Sequence, residues 1–177
     1  MDRGGIVWLT GLPCAGKSTL ARGLATRLAG LVRFELLDSD EVRPFLSSEL
    51  GFSREERDAN LHRIAYVARL LAKHGVLAIV AAIAPYAATR EALKRCSEAA
   101  GHPFVEVYVN VPLETAIGRD VKGHYKRAQA GELPGFTGIA DPYEPPIEPV
   151  IEVQTDRETP AQSEQKIMRV LSRLGLI

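Results

Sequence analysis

Five short stretches of the chain are largely apolar: Ile6–Thr10, Phe34–Leu37, Val76–Ala82, Phe104–Val109 and Val150–Gln154. Runs of this length predict strands buried on both faces, as in a parallel sheet, and not the strict alternation of a half-solvated one. Between them, apolar residues return every three or four positions. After Ser53 these are Leu61, Ile64, Ala65, Ala68, Leu71 and Ala72; near the end they are Ile167, Val170, Leu171 and Leu174. That period predicts helices with one face toward a core. Ser53 and Glu56 have the spacing of a capping box, and Gly75 supplies a stop. Strand and helix in alternation predict an α/β protein whose parallel sheet is covered on both faces. Ligands of such sheets sit beyond the carboxyl ends of the strands.

One stretch has no such period. Lys122 to Pro149 is rich in glycine and proline, among them Gly123, Gly131, Pro134, Gly135, Pro142 and Pro146. A long irregular segment inside a compact domain is commonly a functional lid. The basic residues Lys122, His124, Lys126 and Arg127 favour a lid over phosphates at about 122–149, against a solvated loop with incidental charge. The remainder of the 177 residues is ordinary for a single globular domain over 1–177, with 46% hydrophobic and 25% charged residues. Basic and acidic residues balance at 22 each, which disfavours bulk electrostatic binding of nucleic acid. Two cysteines, Cys14 and Cys96, are too few for a disulfide framework. No apolar run reaches membrane-spanning length and the start does not read as a signal peptide, so the expectation is a cytoplasmic protein with free thiols.

Candidate chemistry begins at Gly11-Leu12-Pro13-Cys14-Ala15-Gly16-Lys17-Ser18, followed by Thr19. The pattern GxxxxGK[ST] lies between an apolar strand and a helical segment, the context a phosphate-binding loop requires. Its backbone N–H groups and the following helix N-terminus attract phosphate oxygens. Lys17 is placed to reach the β- and γ-phosphates, and Ser18 to ligate Mg²⁺. No guanine-specifying NKxD motif is present, so ATP is the expected nucleotide. The strand Val76–Ala82 ends without an acidic residue, so a metal must be held elsewhere. The second strand meets Asp38-Ser39-Asp40 on the ligand side of the sheet. A carboxylate there can orient Mg²⁺ through its waters and accept the proton of an attacking hydroxyl. Asp40 also suits a helix N-cap before Glu41, whereas Asp38 comes too early for one and reads as catalytic. Arg57 and Asn60 share a helical face, which Arg63 joins at the next turn, with Arg43 and Phe52 near in sequence. From the residues alone this is equally an anion-binding face or a solvated one.

GLPCAGKST, LDSDEVR, LGFSREERDANLHRIAYVA, IAPYAATR, RDVKGHYKRAQAGELPGFTGIADPYEPP and the late QTD together give the chain a clear likeness. It resembles the adenylylsulfate kinases, which phosphorylate the 3′-hydroxyl of adenosine 5′-phosphosulfate with ATP in sulfate assimilation. DVKG and GFTGI carry more of the resemblance than the phosphate loop, which many kinases share. The resemblance implies a three-layer α/β/α kinase fold with a five-stranded parallel sheet and a lid. It implies ATP and Mg²⁺, with Gly11 to Thr19 around the phosphates, Arg119 against the ATP adenine, and Ser18 and Asp38 on the metal. Asp38, Asp40, Lys17 and Lys122 would be catalytic. Arg43, Phe52, Arg57, Asn60, Ile83, Ala84, Lys122, Phe136, Thr137 and Gly138 would line the acceptor site, with Phe52 and Phe136 on the two faces of its adenine. A homodimer is implied, and association with a sulfate adenylyltransferase is left open; no nucleic acid or membrane partner is expected.

Three positions depart from the family pattern. Pro13-Cys14 stand where GLSGAGK[ST] has Ser-Gly, Ser39 stands where DGD has Gly, and Ala84 stands where ISPY has a serine that carries a phosphoserine intermediate. Alanine cannot be phosphorylated, so transfer is expected to be direct. The departures keep two alternatives open: a kinase of the same scaffold for another small nucleotide-like substrate, and an ATP-binding regulatory subunit without catalysis.

Overall fold

A computed structural model describes residues 4–177; residues 1–3, part of the expected 1–177 domain, lie outside the described residues. The five apolar runs form strands β1 (Gly5–Thr10), β2 (Phe34–Asp38), β3 (Leu77–Ala81), β4 (Phe104–Asn110) and β5 (Ile151–Gln154). They are joined by helices α1 (Lys17–Leu28), α2 (Ser39–Leu46), α3 (Arg54–Lys73), α4 (Ala87–Ala99), α5 (Leu113–Arg119), α6 (His124–Gln129) and α7 (Pro160–Arg173). All strand pairs are parallel, in the order β2-β3-β1-β4-β5.

The two-residue period of a strand divides the apolar runs between two cores. Val7, Leu9, Ile79 and Val107 face a core closed by Leu20 and Leu24 of α1 and Ile167 and Leu171 of α7. Ile6, Trp8, Ala78 and Val80 face a second core closed by Ile64 and Ala68 of α3 and Leu93 of α4. Burying a leucine or isoleucine fully stabilises the fold by about 1.5–3 kcal/mol. This is why continuous apolar runs, and not alternating ones, specify the central strands.

The helix ends follow local chemistry. Ser53 Oγ accepts from Glu56 N at 3.3 Å and Glu56 Oε2 accepts from Ser53 N at 3.0 Å, completing the expected capping box. Thr159 and Gln162 form a second one, with Pro160 in the first turn of α7. The apolar period does not run to Leu174, as the pattern suggested. The helix stops at Arg173, Leu174 is exposed, and Leu176 turns back into the core.

The chain crosses from β3 to β4 on opposite sides of β1, so the carboxyl end of β1 is a topological switch point, the place where ligands of such sheets bind. The segment from 122 is less irregular than its composition suggested. It carries α6, whose Tyr125 is fully buried and meets Phe136 edge-on at 5.1 Å. Among the described residues no helix is long and apolar enough to cross a membrane.

Candidate active site

The phosphate loop leaves β1 at Gly11. A Cβ there would stand 2.4 Å from Val109 O, so only glycine lets the loop pass the end of β4. Gly16 turns the chain into α1 with no side-chain cap, which leaves the helix's first N–H groups available to an anion. Lys17 Nζ spans the loop, donating to Gly11 O at 2.9 Å and Leu12 O at 2.7 Å. Ser18 follows in the first turn and Thr19 faces outward. Three outer groups pin the loop's carbonyls. The Tyr125 hydroxyl donates to Pro13 O at 3.1 Å and Thr155 Oγ1 to Ala15 O at 2.8 Å, while Arg119 donates to Thr155 Oγ1 at 3.0 Å and Thr155 O at 2.7 Å. Pro13 has no N–H to offer, and what the scaffold uses is its carbonyl.

At the end of β2, Asp38 is buried and its Oδ1 accepts from Asp40 N at 3.1 Å. Asp38 itself is therefore the N-cap of α2, and the expectation that it comes too early for a cap is corrected: the strand runs straight into the helix with no intervening residue. Asp40 is exposed and its Oδ2 accepts from Lys122 Nζ at 2.6 Å. Burial holds the Lys17 ammonium down to about 8, opposed by the fields of Asp40, Cys14 and Asp38. Lys122 moves the other way, held above its usual value by its bond to Asp40.

The arginines separate. Arg57, at the start of α3, donates to Phe52 O at 2.8 Å, to Thr137 Oγ1 at 2.5 Å and to Gly135 O. Arg43 donates to Leu50 O at 3.0 Å and to Gly51 O, and its guanidinium lies 4.4 Å over the Phe52 ring. Asn60 is buried, and its Oδ1 has no hydrogen-bond partner among the described residues, an uncommon state for a buried acceptor. Arg63 does not join this face: it turns outward to Leu46 O at 2.7 Å and Glu49 at 2.5 Å. Gly138 closes the arrangement. Its φ is +92°, and a Cβ would lie 3.1 Å from Leu12 Cδ2 of the phosphate loop. Residues 135–138 thus run between Arg57 on α3 and the phosphate loop. Phe136 packs inward on Tyr125, while Phe52 is 66% exposed beneath Arg43. Beyond β3, Gly11 N and Thr10 Oγ1 hold Ile83 O, the latter at 2.6 Å, and Ala84 is buried with φ +45°.

The family model of adenylylsulphate kinase matches residues 3–154. The chain belongs to the adenylylsulphate kinase family. It is 53% identical to the adenylyl-sulfate kinase of Myxococcus xanthus over 98% of this chain and 94% of that one. Its fold matches the APS kinase of Mycobacterium tuberculosis in complex with AMPPNP and APS, with a TM-score of 0.92, 38% identity and coverage of 97% and 99% of the two chains. A hexameric APS kinase from Thiobacillus denitrificans matches with a TM-score of 0.75 and 37% identity, over 99% of this chain and 30% of that one.

Within the family pattern, two of the three departures fall on unusual backbone. Cys14 has φ +59° where the family has glycine, and Ala84 has φ +45° where it has serine. A side chain in the left-handed region costs about 1–2 kcal/mol, partly offset because glycine loses more chain entropy on folding. Cys14→Gly is expected to stabilise the chain by about 0.5–1 kcal/mol, a rise in Tm of about 2–3 °C in thermal unfolding. An unchanged or lower Tm would mean that the sulfur's packing outweighs the backbone strain.

Sequence reasoning missed several residues that shape the site. Tyr125 and Thr155 hold the phosphate loop, as described above. Asp141 accepts from the Tyr86 hydroxyl at 2.8 Å and from Arg57 at 3.4 Å. Glu144 Oε2 accepts from Ala87 N at 2.7 Å, capping α4 from a distant segment, and Glu144 N donates to Pro85 O at 2.8 Å. The available signal was that Tyr125, Thr155, Asp141 and Glu144 all fall inside the stretches RDVKGHYKRAQAGELPGFTGIADPYEPP and QTD, which carry the family resemblance but assign these side chains no role. Among the described residues no three His, Cys, Asp or Glu side chains come together as a metal site. The Ser18 hydroxyl and the Asp38 carboxylate, the donors expected from the sequence, would be hard oxygen ligands of the kind Mg²⁺ takes beside several waters and phosphate oxygens.

Proposed function

We propose that this chain transfers the γ-phosphoryl group of ATP to the 3′-hydroxyl of adenosine 5′-phosphosulfate, directly and without a phosphoenzyme. The carrying observation is the course of residues 135–138 between Arg57 of α3 and Leu12 of the phosphate loop, which supports reading Arg57 and the loop as two sides of one site. On this reading Gly11 to Thr19 cradle the triphosphate, with Arg119 on the adenine side of the loop. Arg43, Arg57 and Asn60 receive the phosphosulfate and ribose, with the buried Asn60 Oδ1 available as an acceptor. Phe52, Phe136, Thr137 and Gly138, with Ile83 and Ala84, form the walls around the acceptor adenine. Residues 122–149 act as the lid that excludes water, with Lys122 and Asp40 meeting at its leading edge.

Asp38 accepts the proton of the 3′-hydroxyl as its oxygen attacks phosphorus; the bond to the bridging oxygen of ADP breaks as the new bond forms. Lys17 follows the negative charge on the moving phosphoryl group, and Lys122 approaches it from the lid side. Mg²⁺ held by Ser18 and Asp38 supplies charge neutralisation on the phosphate oxygens when bound. Ala84, which has no hydroxyl, leaves the nucleophile to the acceptor alone.

The test is ADP release with adenosine 5′-phosphosulfate as acceptor, with the product identified chromatographically. Acceptor-dependent ADP and a 3′-phosphorylated product are expected; no increase over acceptor-free hydrolysis would refute the proposal. The lowered Lys17 pKa adds a pH signature. Below about 8 the free protein carries the Lys17 charge, and above that it loses it. kcat/KM for ATP is therefore expected to fall as pH rises through about 8. With ATP bound, the phosphates favour the ammonium, so kcat should hold to higher pH. A kcat/KM profile flat to pH 9.5 would contradict this.

A further inference from the structure

We propose that Arg90 is a positioning residue for the acceptor site, joining the loop after β3 to the end of the segment that follows α6. The proposal rests on the functional reading above. Arg90 lies in the first turns of α4, and its side chain is only 4% exposed. Its guanidinium is divided among three elements. Nε donates to Glu106 Oε1 on β4 at 2.9 Å, Nη1 to Ala84 O at 2.7 Å and Nη2 to Glu144 O at 2.7 Å, and the group lies 5.6 Å from the Tyr143 ring centroid.

Each bond has a distinct consequence. Glu106 balances the charge, without which a buried guanidinium is strongly unfavourable. The bond to Ala84 O anchors a residue whose own backbone lies in the left-handed region, at φ +45°. The bond to Glu144 O fixes the end of residues 141–144, where Asp141 meets Arg57 and Tyr86. Tyr143 completes the layer, sharing a 3.0 Å hydrogen bond with Thr10 Oγ1, which in turn holds Ile83 O. Ile83, Ala84 and Arg57 are acceptor-site positions in the proposed function. Arg90 touches neither nucleotide but sets the distance between two walls of the acceptor pocket. The phosphate loop is held mainly by other groups, Tyr125, Thr155 and Arg119, and this network reaches it only at its first residue, through the 3.5 Å bond of Gly11 N to Ile83 O, so the effect of Arg90 falls chiefly on one substrate.

The experiment is steady-state kinetics of Arg90→Gln, Arg90→Lys and Glu106→Gln, with ATP and adenosine 5′-phosphosulfate each as the varied substrate. Arg90→Gln is expected to raise the acceptor KM about tenfold or more, with ATP KM and kcat within about twofold. Arg90→Lys keeps the charge and one or two of the bonds and should recover part of the loss; Glu106→Gln should show a smaller rise of the same kind. A fall in kcat with both KM values unmoved, or an equal rise in both, overturns the proposal. Should Arg90→Gln fail to fold, unchanged acceptor KM in the other two variants overturns it as well. No turnover by the unsubstituted chain would remove the functional reading and this inference together. Normal turnover with insensitive variants would remove only this inference.

Discussion

Asp38→Asn is expected to lower kcat by about 10²–10⁴-fold while leaving stability nearly unchanged. Three roles meet in this carboxylate. Its Oδ1 caps α2 through the amide of Asp40, and the proposed chemistry asks it both to help hold Mg²⁺ and to take the acceptor proton. Asparagine caps a helix about as well as aspartate but has neither charge nor basicity, so it separates the cap from the two chemical roles. Asp38→Ala removes all three and should add a loss of about 1 kcal/mol in stability to the same fall in rate. The measurement is kcat at saturating ATP and acceptor beside Tm for both variants. Full activity in Asp38→Asn would eliminate proton acceptance, and a loss of activity that simply follows Tm would reduce Asp38 to a cap.

Lys17→Met should lower kcat/KM for ATP by about 10³-fold or more, with no decrease in Tm. The first part follows from removing a preorganised positive charge from the site of developing negative charge. The second follows from burial, which disfavours the Lys17 ammonium in the folded chain and holds its pKa at about 8. Methionine has similar length and needs no solvation. Its loss of the bonds to Gly11 O and Leu12 O works against the gain, so a level or slightly raised Tm is the expected balance. A variant both inactive and several degrees less stable would show that Lys17 chiefly holds the loop together.

Elements whose chemistry is local were legible in the sequence. The five strands were placed within a residue or two: double-sided burial demands continuous apolar runs in β1 and β3, and the edge strands β2 and β5 keep enough apolar residues to be read although Glu35 and Glu152 are exposed. The α3 capping box was readable because Ser53 and Glu56 interact only with each other's backbone and near neighbours. The phosphate loop was readable for the same reason. What failed was non-local. Arg63 shares a helical period with Arg57, but its outcome depends on where the carbonyl of Leu46 lies. The Asp38 cap depended on a strand and a helix meeting with no residue between them. Residues 122–149 seemed patternless because their anchors are single polar contacts to remote elements, such as Tyr125 to Pro13 and Arg57 to Thr137. Such contacts leave no periodicity to read.

The cap that Glu144 places on Ala87 N spans 57 residues of sequence. During synthesis, α4 therefore emerges from the ribosome with its first turn open, and it stays so until β4, α5 and α6 have followed it out. Closing so long a loop carries an entropic penalty that only the assembled sheet can offset. The first turn of α4 is accordingly among the last parts of the molecule to be completed.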